Sequence, residues 1–205
     1  LLAPAGSGKS TLLSHWRAHY SSRALAYYPL QARDNHALRF FRRLIESIRA
    51  QVSDFDLSWF NPLEASLSPE VVGEYLAEAL ERIEGGLCLV FDDFQYILAN
   101  EFMRRTDERG FEKFTDIGKH AWDILCAASS LPDHVRVYIL SHTETSESGR
   151  VKAKTIGRML DEKITIEGMF SIVMRTSIIN GQYLFSTKNN GSDTVKTPLG
   201  LFDAD

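Results

Sequence analysis

The chain has 205 residues, 44% of them hydrophobic, and carries 23 basic against 27 acidic side chains for a net charge of −4. That length and apolar share fit a single folded domain with a real core and exclude a chain that is disordered throughout. The charge excludes a general polycation, so any contact with nucleic acid has to come from a local patch.

Two cysteines, Cys88 in an apolar run and Cys126 in a helical pattern, are too few and too far apart for a zinc motif. They are expected as small core residues in a reducing compartment. No apolar run approaches the roughly 20 residues a membrane helix needs, and no secretory segment opens the chain. A cytoplasmic protein without a membrane partner is therefore expected.

In chain order, the first feature is residues 3–11, APAGSGKST, which fit the phosphate-loop pattern [AG]xxxxGK[ST] with Ala3 in the first position. Gly6 and Gly8 let the backbone fold tightly around an anion, so that successive N–H groups of Ala5, Gly6, Ser7, Gly8, Lys9, Ser10 and Thr11 can face the phosphates of ATP. The Lys9 ammonium suits the outer phosphates, and the Ser10 hydroxyl suits Mg²⁺. The positive end of the following helix, predicted over 12–18 with Leu12, Leu13, Trp16 and Tyr20 on its core stripe, adds to the attraction. Only Leu1 and Leu2 remain of the apolar strand expected before this loop, and the chain begins without methionine, so a shortened first strand is expected.

Residues 24–30, ALAYYPL, read as a second strand ended by proline. Residues 37–52 form an amphipathic helix with Leu38, Phe41, Leu44, Ile45 and Ile48 inward and Arg39, Arg42, Arg43 and Arg49 on a solvated face. A polar loop over 53–68 leads to Ser68-Pro69-Glu70, a helix start, and the helix runs to about Glu84 with Val72, Tyr75, Leu76, Ala79, Leu80 and Ile83 inward.

Residues 87–91, LCLVF, form a continuous apolar run, the pattern of a strand buried on both faces of a parallel sheet. It ends in Asp92-Asp93, at the strand end where open α/β sheets place ligand chemistry. Asp92 is the candidate Mg²⁺ partner opposite Ser10, and Asp93 is a candidate for orienting an attacking water.

A helix over 111–129 is predicted with Phe111, Phe114, Ala121, Trp122, Leu125 and Ala128 on one face. A buried strand follows over 135–140 and ends in Ser141-His142-Thr143-Glu144, where Ser141 and His142 are candidate sensors of the γ-phosphate. Residues 145–157 read as a flexible polar loop, and Arg150, Lys152 and Lys154 make it the local cationic run of an acidic chain. That run suits either a nucleic-acid backbone or a solvated loop. Asn180-Gly181 between two apolar runs is a hairpin signal.

Two family resemblances overlie this reading. Residues 1–93 resemble the nucleotide-binding domain of MalT-like, STAND-class regulators through APAGSGKSTLLSHWRAH, ALAYYPL, ALRFFRRLIESI and LVFDDFQ. Residues 94–205 resemble a phage family of RecA-like ATPases linked to single-stranded DNA and recombination, through FQYILANEFMRR, DIGKHAWDIL, VYILSHTE, KTIGRMLDEKITIEGMFSIVMRT and QYLFSTKNNGSDTVKTPLGLF. The switch falls at the Asp92 strand, which both families possess.

Together these imply one P-loop NTPase domain over 1–205, a RecA-like three-layer α/β sandwich with a mainly parallel sheet and a C-terminal β-hairpin. The second resemblance implies a nucleotide-responsive residue at His142, a mobile DNA-facing loop over 147–154, assembly with further copies, and a cationic finger toward a neighbouring subunit at Arg175 or Lys188. It further implies an ATPase acting with single-stranded DNA. The first implies instead a nucleotide-controlled switch, although His142 stands where that family usually carries arginine. A joining of two unrelated halves that only binds nucleotide is the third alternative.

Overall fold

The computed structural model describes residues 1–4, 6–19, 23–55, 60, 68–161 and 163–202, with the side chains of Ser10, Ala32, Asn35 and Met159 outside the description. Ala5 and most of the polar loop expected over 53–68 also lie outside the described residues.

In chain order the elements are β1 (Leu2–Ala3), α1 (Lys9–His19), β2 (Ala24–Pro29), α2 (Ala37–Arg49), α3 (Pro69–Glu81), β3 (Leu87–Asp92), α4 (Gln95–Arg104), α5 (Glu112–Ser129), β4 (Val135–Ile139), β5 (Ser141–Thr145), β6 (Val151–Ala153), α6 (Arg158–Asp161), β7 (Arg175–Ile179) and β8 (Gln182–Ser186). The strands form two ladders, β2-β3-β4 and β6-β5-β1-β7-β8. Leu140 alone separates β4 from β5, and it stitches the ladders together. Its N–H donates to Phe91 O (2.8 Å), and the next N–H, of Ser141, donates to Leu1 O (3.0 Å). Through this shared run the strands follow the order β2, β3, β4 with β5, β1, β7, β8. The pairs β2–β3, β3–β4, β1–β5 and β1–β7 are parallel, whereas β5–β6 and β7–β8 are antiparallel. The result is a mixed α/β architecture with a mostly parallel sheet.

Alternation along the strands sends side chains to two different layers. Ala26 and Tyr28 of β2, Leu87 and Leu89 of β3, and Val135 and Ile139 of β4 join the main core with α2 to α5. Leu25, Cys88 and Val90 join a smaller cluster with Leu13 and Trp16 of α1. The central ladder is therefore covered on both faces, by α1 on one and by the other helices on the opposite one. Burial pushes the Cys88 thiol above its ordinary pKa, which suits an inert core residue.

Several expectations change at the level of side chains. Trp122 (51% exposed) and Phe111 (70% exposed) leave the predicted core stripe of α5, which is built on Ile117, Gly118, Ala121 and Leu125. Tyr75 is likewise exposed on α3, which ends at Glu81 rather than near Glu84. Arg43 is not part of a solvated face: its guanidinium donates to buried Asp34 (2.6 Å to Oδ1) and lies 4.8 Å from the Tyr28 ring. The polar segment after Ile139, read as a strand end, continues as β5 because β1 pairs one of its edges and β6 the other.

The hairpin expected at Asn180-Gly181 is present, with Ile179 opposite Gln182 and Arg175 opposite Ser186. Both turn residues have positive φ (52° and 78°), the backbone a two-residue hairpin turn requires.

Candidate functional site

Parallel register brings the phosphate loop and the candidates Asp92, Asp93, Ser141 and His142 to one edge of the sheet. Ala3, the last residue of β1, pairs with His142 of β5. One strand away, Phe91 pairs with Ile139 of β4, so Asp92 and Asp93 leave β3 beside Leu140 and Ser141. Two strand spacings, roughly 10 Å, separate β1 from β3 across this edge.

After β1 the chain turns at Pro4, whose carbonyl accepts from the Ser7 N–H (3.3 Å) and the Ser7 hydroxyl (2.7 Å). Gly6 and Gly8 both have positive φ (75° and 78°), the left-handed backbone that glycine adopts without a Cβ penalty. Lys9 opens α1 and is 8% exposed, and its ammonium has no ion-pair or hydrogen-bond partner among the described residues. Ala5 and the Ser10 side chain lie outside the described residues, and Thr11 sits exposed in the first turn of α1.

Asp92 follows Cys88 and Val90 in the alternation of β3, which places it on the face of the sheet covered by α1. It is 4% exposed. Its Oδ2 accepts from the Tyr27 hydroxyl (2.8 Å), and its Oδ1 accepts from the Asp93 N–H (2.9 Å). Each carboxylate oxygen has two acceptor sites, so each keeps one free of these two bonds.

Asp93 has φ 60°, uncommon for a residue other than glycine. Its Oδ1 lies 3.0 Å from His142 Nε2 and accepts from Gln95 Nε2 (3.2 Å). Gln95 Oε1 in turn accepts from the His142 N–H (3.2 Å) and the Ser141 hydroxyl (3.3 Å). Asp93, Gln95, Ser141 and His142 thus form one hydrogen-bonded group spanning the ends of β3 and β4. Tyr27 and Gln95 belong to no site motif. Nothing local marks them, since their partners lie 65 and 46 residues away in the chain.

The other candidates fall outside this group. The expected flexible loop over 145–157 is mostly hairpin, with β5 and β6 joined by a short turn. Lys152 on β6 pairs with Glu144 (3.2 Å) and with Asp161, so it is withdrawn from the cationic run. Burial works against its charge, but hydrogen bonds to Asp161 and Glu144 outweigh it and hold its pKa above the ordinary lysine value. Arg150 and Lys154 are exposed. Arg175 lies within 3.3 Å of Asp193, a 1%-exposed carboxylate of the same chain, so its guanidinium is held in place rather than extended. Lys188 is exposed beyond β8.

The C-terminal hairpin flanks the loop. Thr176 of β7 donates to the Ser7 hydroxyl (3.2 Å), and a Cβ on Gly8 would stand 2.9 Å from Tyr183 Cε1. Gly8→Ala is therefore expected to destabilise the fold by about 1–2 kcal/mol through its positive φ, a fall of about 2–8 °C in Tm. Gly6→Ala carries the same backbone strain with open space around the new methyl, so any excess loss at Gly8 in parallel thermal melts reports the Tyr183 contact. A Gly8→Ala melt matching the unsubstituted chain would contradict this loop conformation.

No protein-family model matches the chain, and a search of curated proteins finds no match. Among solved structures it is similar to the Aeropyrum pernix Orc1 protein in complex with DNA, at 17% identity and a TM-score of 0.36, over 69% of this chain and 32% of that one. The chain thus spans about a third of that protein's length. No described helix is long and apolar enough to cross a membrane.

Proposed function

We propose that the chain is a P-loop ATPase that binds ATP with Mg²⁺ and hydrolyses the γ-phosphate. The observation that carries this reading is the placement of buried Asp92 on the sheet face covered by α1, the helix that begins with Lys9 and the glycine loop. Asp92 keeps acceptor sites free beside its two hydrogen bonds, the Lys9 ammonium makes no ion pair or hydrogen bond among the described residues, and a metal-bound triphosphate would supply partners to both.

Among the described residues no cluster of three or more His, Cys, Asp or Glu could cage a metal alone. Mg²⁺ keeps several waters and is commonly held by one or two protein oxygens together with substrate phosphates. Asp92 and the Ser10 hydroxyl are the residues that would hold it. When bound there, the ion would supply positive charge against the charge that develops on the phosphates. Lys9 and the loop amides would stabilise charge on the transferred group. Asp93, whose orientation is supported by His142 and Gln95, would position the attacking water.

The strand order, with β4 and β5 between β1 and β3, is consistent with a RecA-like arrangement. The likeness of residues 94–205 to phage recombination ATPases supports single-stranded DNA as the polymer on which the chain acts. Arg150 and Lys154, exposed on the β5–β6 hairpin and its exit, are the cations available for its phosphates. Steady-state ATP hydrolysis with and without single-stranded DNA at low salt tests this task. The reading expects stimulation that fades steeply as salt rises. Hydrolysis indifferent to DNA at low salt would overturn the DNA role and leave the nucleotide site standing.

A further inference from the structure

β8 is the outer strand of its ladder, and among the described residues no strand pairs its free edge. Edge strands usually carry a lysine, a proline or a bulge that blocks further pairing. β8 has none of these. Its sequence is Gln182-Tyr183-Leu184-Phe185-Ser186, and no charged residue occurs from Thr176 to Thr187. Tyr183, Leu184 and Phe185 are 65%, 42% and 43% exposed, and Ile178 and Ile179 beside them are 50% and 53% exposed.

The phase of the backbone hydrogen bonds sets which groups face outward. In a two-residue hairpin the residues flanking the turn exchange both backbone bonds, and the pattern then alternates along the strands. Ile179–Gln182, Ser177–Leu184 and Arg175–Ser186 are therefore the bonded pairs, given the observed register. The N–H and C=O groups of Tyr183 and Phe185 point away from β7, toward the open edge.

A two-fold axis at Leu184 satisfies all of these groups at once. It sets Tyr183 opposite Phe185 of a second copy, twice, as pairs that exchange both backbone bonds. Leu184 then meets Leu184 as a non-bonded pair, the closer of the two antiparallel spacings. The strand reads polar, aromatic, leucine, aromatic, polar in both directions, so the self-pairing matches like with like. Cross-strand aromatic pairs are favourable partners. The nearest free charge, Lys188, falls beside the turn of the second copy and far from its own symmetry mate.

We propose that β8 is a self-pairing edge, through which two copies of this chain form an antiparallel, two-fold dimer centred on Leu184. The partner is a second copy because one axis matches backbone phase, side-chain type and absence of charge together. Tyr183 also lies over Gly8, where an added Cβ would come within 2.9 Å of its ring, so the second copy would stand beside the phosphate loop of the first.

Sedimentation of the 205-residue chain over a wide concentration range tests this. A monomer–dimer equilibrium is expected. Leu184→Lys and Leu184→Glu, each setting like charges against one another across the axis, should weaken the dimer at least tenfold while far-ultraviolet circular dichroism stays native. An equimolar mixture of the two variants should restore it. Phe185→Pro, which removes an outward N–H and no bond to β7, should also give a monomer. A monomeric unsubstituted chain at every concentration would overturn the proposal, as would a dimer indifferent to both charge variants or a mixture that stays monomeric.

Discussion

Lys9→Ala is expected to abolish detectable ATP binding and to lower hydrolysis by about 10²–10³-fold, the scale on which removal of one preorganised charge-stabilising group is felt. It should do so without unfolding the chain. Lys9 is 8% exposed as a residue and its ammonium makes no ion pair or hydrogen bond among the described residues, so its removal breaks no native polar interaction there. A thermal melt close to that of the unsubstituted chain should accompany the lost activity. Retained nucleotide affinity in a folded Lys9→Ala variant would remove the phosphate-loop assignment.

Asp92→Asn separates metal from phosphate. The carboxylate accepts from the Tyr27 hydroxyl (2.8 Å) and from the Asp93 N–H (2.9 Å). An amide at this position still offers one acceptor for the N–H, and the Tyr27 hydroxyl can turn to accept from its NH₂ group. The structural cost is expected to stay near 1 kcal/mol. Binding of ATP without magnesium should persist, because the loop and Lys9 are untouched. The gain in affinity on adding Mg²⁺ should disappear, and turnover should fall by about two orders of magnitude or more. Equal magnesium dependence in the two proteins, measured by titration calorimetry, would show that Asp92 is a structural carboxylate held by Tyr27 and nothing more.

Much of this arrangement was legible in the sequence because its signals are local. Gly6, Gly8 and Lys9 lie within four residues of one another, and the β3 run ends at the aspartate that the alternation then turns toward α1. Asn180-Gly181 announced its hairpin for the same reason, since both turn residues need positive φ. What was hidden depends on pairing across the chain. Ser141 to Thr145 is too polar to read as a strand, and it becomes one because β1 and β6 occupy its two edges. Lys152 looked like a free cation until Glu144 and Asp161 were brought against it. Arg43 looked solvated until the turn before α2 placed Asp34 beneath it. Gln95, which links Asp93 to both Ser141 and His142, carries no motif at all.

The central claim is that main-chain loop, lysine and aspartate together hold a metal-bound triphosphate. Calorimetric titration of the unsubstituted chain with ATP, ADP and AMP, each with and without Mg²⁺, tests it most directly. The account predicts single-site binding of ATP that Mg²⁺ strengthens, weaker binding of ADP, and none of AMP, because affinity resides in the outer phosphates. AMP binding as tightly as ATP, or no binding of ATP in the presence of Mg²⁺, would contradict it.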